Sequence, residues 1–281
     1  MNIDGKKIAQ EILDNLKKEI AKYKMKPGLA VLLVGENEAS KIYIKMKEKA
    51  CLHVGIHSIV KRLNEKTTEA ELFEEIEKLN FDENIDGILV QQPLPPQIDA
   101  YKTTLAISPN KDVDGFHPLN LGKMMLGQKD GFLPCTPKGI VTLLEKSNID
   151  PAGKHVVIVG RSNIVGKPLA VMLMQKEKMA NATVTVAHSG TQNLKEITKS
   201  ADILVAAIGQ AKYITEDMLK PGVVVIDVGI SREDKKVVGD VDFENVSPIA
   251  RAITPVPGGV GPMTIAALIE NTFQSFKMRK H

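Results

Sequence analysis

Tyr43 and Lys47 stand four residues apart, so any helix that contains them puts both on one face. A phenol beside an amine does proton-transfer work when the lysine is desolvated enough to release its proton near neutrality. Lys41, Lys45 and Lys49 share the stretch, so a solvated basic helix is the more ordinary reading of the same spacing. Gln91 follows the apolar run 85–90, at the carboxyl end where open α/β sheets place their ligands. Pro93 and Pro95 make the loop behind it rigid and non-helical. Asp112-Val113-Asp114-Gly115 reads as a cap, a turn, or a carboxylate for a ligand bearing paired N–H donors. Calcium is a poor reading of it, because the rest of the binding loop does not follow. His53 and His57 have Gly55 between them, which argues against one rigid helix and a zinc site. The only cysteines, Cys51 and Cys135, lack metal-ligand spacing and read as buried thiols.

Residues 157–166 hold a second candidate. The stretch passes from an apolar run through Gly160, Arg161 and Ser162 to Gly166, a G-x-S-x-x-x-G pattern. Between a strand and a helix, backbone N–H groups and the helix dipole receive a pyrophosphate. The second glycine of the usual dinucleotide fingerprint is missing, so an ordinary turn from strand to helix stays open. Arg161 lies in the loop and Ser189 follows the next apolar run, where NAD-selective sites place an acidic residue on the ribose. A cation and a hydroxyl there suit a 2′-phosphate, so NADP is the preferred cofactor. The plain alternative makes Arg161 a solvated charge and Ser189 a turn residue.

The elements that position these residues follow from periodicity. Ile8, Ile12, Leu13, Leu16 and Ile20 predict an opening amphipathic helix. Strands are expected at 29–34, 58–63 and 85–90, with helices at about 40–54 and after Thr67-Thr68-Glu69, where a hydroxyl cap precedes acidic residues. Past 150–153 the pattern restarts, with strands at 155–159, 183–187, 203–207 and 223–228 and a helix at 168–176. Nearly all-apolar strands alternating with helices argue for parallel sheets covered on both faces. A last helix, 262–277, follows a Gly/Pro-rich turn at 254–262 and is expected to pack back on the first lobe.

Composition removes other classes. The 281 residues are 43% hydrophobic and 25% charged, with a net charge of +3, so neither nucleic acid nor a membrane surface is called for as a partner. Trp is absent and aromatics are 4%, which leaves no base-stacking platform. Apolar runs are strand-sized, the N-terminus enters an amphipathic pattern at once, and two free thiols suit a reducing compartment, so a cytoplasmic location is expected.

Five segments together resemble the bifunctional methylenetetrahydrofolate dehydrogenase/cyclohydrolase family: 34–47, 87–95, 111–115 with 134–139, 160–168, and the long, specific run 254–264. They occur in the family's order and span nearly the whole chain. One departure stands at Gln92, where the family usually carries Leu or another apolar residue. The resemblance implies a two-lobed α/β fold. Residues 1–139 with 262–281 would form a parallel α/β catalytic domain that binds folate, and 140–261 a Rossmann-type NADP-binding domain. The C-terminal helix would return to the first domain. It further implies oxidation of 5,10-methylenetetrahydrofolate with NADP⁺ and hydrolysis of the methenyl product to 10-formyltetrahydrofolate in one cleft between the lobes. Lys47 would be the general acid/base, Tyr43 would stack on the folate, Gln91 would hold the Lys47 amine, and Asp114 would accept from the pterin N–H edge. Pro257 and Gly261 would line the folate site, while Gly160, Arg161, Ser162, Ser189 and Ile230 would contact NADP. Tetrahydrofolate one-carbon derivatives would be the small-molecule partners, a homodimer the assembly, and no metal is implied.

Overall fold

Apolar residues at helical spacing make Gly5–Ala21 (α1) an amphipathic helix that buries Ile12, Leu13 and Ile20 and leaves its lysines in water. The computed structural model describes residues 1–233 and 236–280. The chain divides into two compact units: Gln10–Cys135 with Ile265–His281, and Met1–Ala9 with Thr136–Thr264.

In the first unit Gly28–Val34 (β1), Glu38–Val54 (α2), His57–Leu63 (β2), Glu69–Phe81 (α3) and Gly87–Val90 (β3) alternate, and Ala100–Ala106 (α4) and Pro118–Met125 (α5) follow. The strands pair in parallel in the order β2-β1-β3, with helical crossovers as parallel pairing requires. β1 is buried along its whole length, which is why it carries no polar residue. Its alternate residues feed two cores. Leu29, Val31 and Leu33 meet Ile44, Cys51 and Val54 of α2, whereas Ala30, Leu32 and Val34 meet Leu72, Ile76 and Leu79 of α3. Asn37 caps α2 by accepting from the Ser40 amide, and Gly55 ends it in the left-handed region at φ 83°. Thr68 and Glu71 close a capping box on α3, the hydroxyl-then-acid start expected there.

The second unit holds Cys135–Lys146 (α6), His155–Val159 (β4), Gly166–Met174 (α7), Thr183–Ala187 (β5), Leu194–Lys199 (α8), Ile203–Ala206 (β6), Val224–Asp227 (β7), Ser231–Glu233 (β8), Lys236–Val238 (β9), Phe243–Val246 (α9) and Ala252–Ile253 (β10). Its five-stranded parallel sheet runs β10-β7-β6-β4-β5, a doubly wound order. Val260–Lys280 (α10) ends the chain. Its Leu268, Ile269, Phe273 and Phe276 join the β1–α2 core of the first unit, with Tyr23 edge-on to both phenylalanines. The C-terminal helix therefore returns to the N-terminal sheet, as expected.

Boundaries differ from expectation for local reasons. β3 starts at Gly87 rather than Ile85, because its ladder opens opposite Leu29, next to the first residue of β1. α7 starts at Gly166 rather than Pro168, because the Ser162 hydroxyl accepts from the Val165 and Gly166 amides and lets the helix begin early. The β8–β9 hairpin and the two-residue β10 are too short to leave a period in the sequence.

Candidate active site

The four lysines of α2 part company. Lys45 and Lys49 are exposed and Lys41 pairs with Glu36 and Glu38, but Lys47 is only 9% exposed. The helix turns Lys47 inward with Ile44 and Cys51, so the reading of a wholly solvated basic surface fails for this one residue. Its Nζ donates to Gln91 Oε1 at 2.8 Å. The Gln91 Nε2 donates in turn to the Gln92 carbonyl at 2.8 Å, which also accepts from Ser40 Oγ at 3.2 Å. The Gln91 amide is thereby oriented with its oxygen toward the amine. The Gln91 N–H bonds Leu32 O, which fixes the residue at the carboxyl end of β3 beside β1. Burial pushes the Lys47 amine below its ordinary value, and the Asp114 carboxylate opposes that shift. Tyr43 sits one turn earlier, half-buried, with its phenol pushed up by burial. The Gln92 side chain is exposed and its carbonyl does the holding, so this position carries the departure from Leu without disturbing Gln91.

Asp114 reaches the same sheet end by another route. Asp112 forms a parallel bridge with Ile88, and the chain turns directly after it through Asp114. Asp112 is 2% exposed and accepts from the Phe116 and His117 amides at 3.2 and 2.8 Å and from Asn120 Nδ2 at 2.9 Å. Burial still pushes it up to about 6. It is an anchor, and the role left open between cap, turn and ligand acceptor splits across the motif. Asp112 takes the turn, and Asp114 faces Lys47 and the Cys135 thiol. Burial raises the Asp114 carboxyl too, with Lys47 pulling it back. A brace from α10 completes the loop: Asn271, fully buried, donates to Val113 O at 2.9 Å and Leu133 O at 3.0 Å. Cys135 donates its thiol to Val113 O at 3.2 Å, and Cys51 is pushed up to about 12 by burial, so both thiols are structural. Asn271 escaped the sequence reading, since nothing in its spacing sets it apart from the other polar residues of α10.

In the second unit Val159 and Ala187 are register partners on β4 and β5. Arg161 and Ser189 each lie two residues past them and leave adjacent strands at one height, and the Gly160 amide bonds Ala187 O at 2.8 Å. Arg161, Ser162 and Ser189 are exposed. The loop is shaped for close backbone approach: a Cβ on Gly160 (φ 135°) would lie 2.1 Å from Ala207 O, and one on Gly166 would lie 2.1 Å from Gly160 O. That cradle suits a pyrophosphate against the start of α7. Ile230, 51% exposed, stands just beyond β7 on the same sheet edge. In the Gly/Pro-rich turn Pro257 is exposed, and Gly261, half-buried, lies in the first turn of α10. The turn is seated on the N-terminus through Lys6 N–H to Gly258 O at 2.9 Å. Among the described residues no group of three or more His, Cys, Asp or Glu could hold a metal ion.

Two family models match the chain: the catalytic domain of tetrahydrofolate dehydrogenase/cyclohydrolase over residues 3–114, and its NAD(P)-binding domain over 134–280. The bifunctional protein FolD of Chlorobium phaeobacteroides (strain BS1) is 55% identical, covering 99% of this chain and 97% of its own. The crystal structure of the bifunctional dehydrogenase/cyclohydrolase FolD from Campylobacter jejuni superposes with a TM-score of 0.96 at 49% identity, covering 99% of both chains. The Trypanosoma brucei enzyme, solved with NADP cofactor and an inhibitor, gives 0.94 at 36% identity, covering 100% of this chain and 98% of its own.

Proposed function

The chain belongs to the tetrahydrofolate dehydrogenase/cyclohydrolase family, and on that premise we propose how its residues divide the work. It is a bifunctional enzyme that oxidises 5,10-methylenetetrahydrofolate to the 5,10-methenyl form with NADP⁺ and hydrolyses that product to 10-formyltetrahydrofolate. NADP⁺, when bound, supplies the hydride acceptor for the first step.

Folate is assigned to the first unit at the carboxyl end of the β2-β1-β3 sheet. Lys47 is the general acid/base of ring opening, and the observation that carries this is its buried amine, held by Gln91 and pushed toward neutrality. A neutral amine takes one proton from the attacking water and returns it to the ring nitrogen as the C–N bond opens, while the remaining hydroxyl proton leaves to solvent as the formyl C=O forms. Gln91 fixes the direction of that amine, and Tyr43 positions the folate beside it. Asp114 accepts from the pterin N–H edge, the Asp112 anchor having set its height. Pro257 and Gly261 are assigned to the folate through the C-terminal turn. The hydride step needs alignment rather than proton transfer, because the folate nitrogens stabilise the developing cation.

The second unit is assigned to NADP. Gly160 and Ser162 take the pyrophosphate, Arg161 and Ser189 the 2′-phosphate, and Ile230 the nicotinamide end. The level exit of Arg161 and Ser189 from paired strands supports their joint action on one phosphate. A homodimer through this unit is part of the proposal, since β5 lies at the edge of the sheet with one side unpaired among the described residues. No helix among the described residues is long and apolar enough to cross a membrane. Two buried free thiols favour the reducing cytoplasm.

The test supplies 5,10-methylenetetrahydrofolate with NADP⁺ and then NAD⁺, following reduced cofactor and methenyl folate separately. Reduction with NADP⁺ and no methenyl accumulation, after correction for non-enzymatic hydrolysis, is the expected result. Accumulating methenyl folate would remove Lys47 from its role.

A further inference from the structure

The five-stranded sheet ends in a level row. Val159, Ala187, Ala206 and Asp227 are successive register partners on β4, β5, β6 and β7. The phosphate loop leaves β4 and the Ser189 loop leaves β5. A dinucleotide laid across that edge therefore turns its adenosine half toward β5 and its nicotinamide half toward β6 and β7.

At the ends of β6 and β7 lie two buried carboxylates that the cofactor assignment leaves without work. Asp227 is 3% exposed; its Oδ1 accepts from the Gly229 and Asp240 amides at 3.0 and 2.9 Å and its Oδ2 from Val241 N at 3.0 Å. Asp240 is fully buried, and its Oδ2 accepts from Ile208 N at 2.5 Å and Gly209 N at 2.9 Å. Its Oδ1 has no hydrogen-bond partner among the described residues. The two glycines beside them leave no spare room. A Cβ on Gly229 would lie 2.2 Å from Asp240 Oδ1, and one on Gly239 would lie 1.9 Å from Asp227 Oδ2.

Amide donors satisfy carboxylate lone pairs without cancelling the charge. Among the described residues no Lys, Arg or His pairs with either group, and two buried charges of one sign repel. Such an arrangement is relieved when a positive charge arrives nearby. Oxidised nicotinamide carries that charge and reduced nicotinamide does not, while the phosphates of the two forms are identical.

We propose that Asp227 and Asp240 are positioning residues of the nicotinamide end: they hold the turns 207–209 and 228–230 by their amides, and their charge favours the oxidised over the reduced cofactor. This rests on the assignment of the Gly160, Ser162 and Ile230 loops to NADP.

Asp240→Asn keeps an oxygen for the Ile208 and Gly209 amides and removes the charge. Wild type and variant are titrated calorimetrically with NADP⁺, NADPH and 2′,5′-ADP, the last lacking the nicotinamide half. A pH of about 8 keeps Asp227, which burial pushes up to about 6, ionised. NADP⁺ binding is expected to weaken about tenfold, the order a unit charge exerts through roughly 10 Å of protein, with NADPH and 2′,5′-ADP held within about twofold. Equal weakening of both cofactors, which a purely structural role would give, overturns the proposal, as does no change. A wild type that binds none of the three ligands instead removes the underlying cofactor assignment and the proposal with it. Should Asp240→Asn not fold, Asp227→Asn reads the same ratio, since its retained Oδ1 still serves Gly229 and Asp240 and only the Val241 amide loses its acceptor.

Discussion

Gln91→Glu converts the amide oxygen 2.8 Å from Lys47 Nζ into a carboxylate without changing its reach. In the native site burial drives the amine toward its neutral form, and Gln91 holds it without adding a charge. An opposite charge at that separation raises an amine pKa by about 1–3 units, or about 1.4–4 kcal/mol in favour of the ammonium. The neutral fraction below the pKa then falls by about 10- to 1000-fold. If neutral Lys47 takes the proton of the attacking water, hydrolysis slows by that factor, and the acidic limb of its pH–rate profile moves up by the same 1–3 units, about the shift in the amine. The assay follows loss of methenyltetrahydrofolate between about pH 6 and pH 9.5, with the buffer-catalysed rate subtracted. The hydride step exchanges no proton with Lys47, so cofactor reduction changes far less than ring opening. A limb that stays in place or moves down refutes the assignment of the base. An equal loss of both activities shows instead that Gln91 serves folate placement alone.

Lys47→Met should abolish ring opening while raising stability. The folded lysine has its pKa below the unfolded value of about 10.4, so folding is opposed by proton release at lower pH, and that penalty fades as pH rises toward about 10.4. The gain in midpoint on denaturant unfolding is therefore largest at the acidic end and gone above that value; a variant less stable near neutrality contradicts the burial argument. Arg161→Ala should weaken NADP⁺ by about 1.5–3 kcal/mol, the range for a charged hydrogen bond, and leave NAD⁺ nearly unchanged. Equal losses on both cofactors would sink the 2′-phosphate assignment. Asn271→Leu removes the α10 donor from the buried Val113 carbonyl, which keeps the Cys135 thiol, and from the part-buried Leu133 carbonyl, and should destabilise by about 1–3 kcal/mol. Urea melts read this directly, and a change under about 1 kcal/mol would show that the brace is replaceable.

What the sequence made legible follows from how much local pattern each feature carries. β1 and β4 are continuous apolar runs because both faces of their sheets are covered, and such runs stand out without any partner. α3 announced its start because a capping box is a local chemical need met by residues three apart. The β8–β9 hairpin left no such trace, and neither did β10, whose two residues are strand only because β7 offers them a ladder. The candidate site divides the same way. Tyr43, Lys47, Gln91 and the Asp112–Gly115 motif could be picked out by type and setting and Asp114 itself by the family resemblance, but the burial that distinguishes Lys47 from Lys45 and Lys49 depends on helix rotation against a sheet. Asp112 and Asp114 are two residues apart in one motif, and only the fold shows that Asp112 is the one tied down, by the Ile88 bridge and the Phe116, His117 and Asn120 donors. Asn271 lies 158 positions from the carbonyl it holds, a distance no spacing rule reaches.

Lys47 and the Asp227–Asp240 pair pose one physical question in two places. Each is a charged side-chain type kept in the interior of its unit, held by neutral partners and unmatched by an ion pair among the described residues. An apolar replacement of similar size is usually tolerated or stabilising at such positions, so folding alone does not account for them. Each is bonded to residues just past the carboxyl end of a parallel strand, Lys47 to Gln91 beyond β3 and Asp240 to Ile208 and Gly209 beyond β6, where α/β sheets meet their ligands. Desolvation at Lys47 moves an amine toward the pH at which it can exchange a proton. Desolvation at Asp227 and Asp240 preserves a field that water would otherwise screen. On the proposed assignments, the same burial that opposes folding makes each side chain effective on a ligand whose charge changes during the reaction. Stability and activity should therefore move in opposite directions on neutralising these groups, whereas neutralising a surface charge such as Lys45 should move neither.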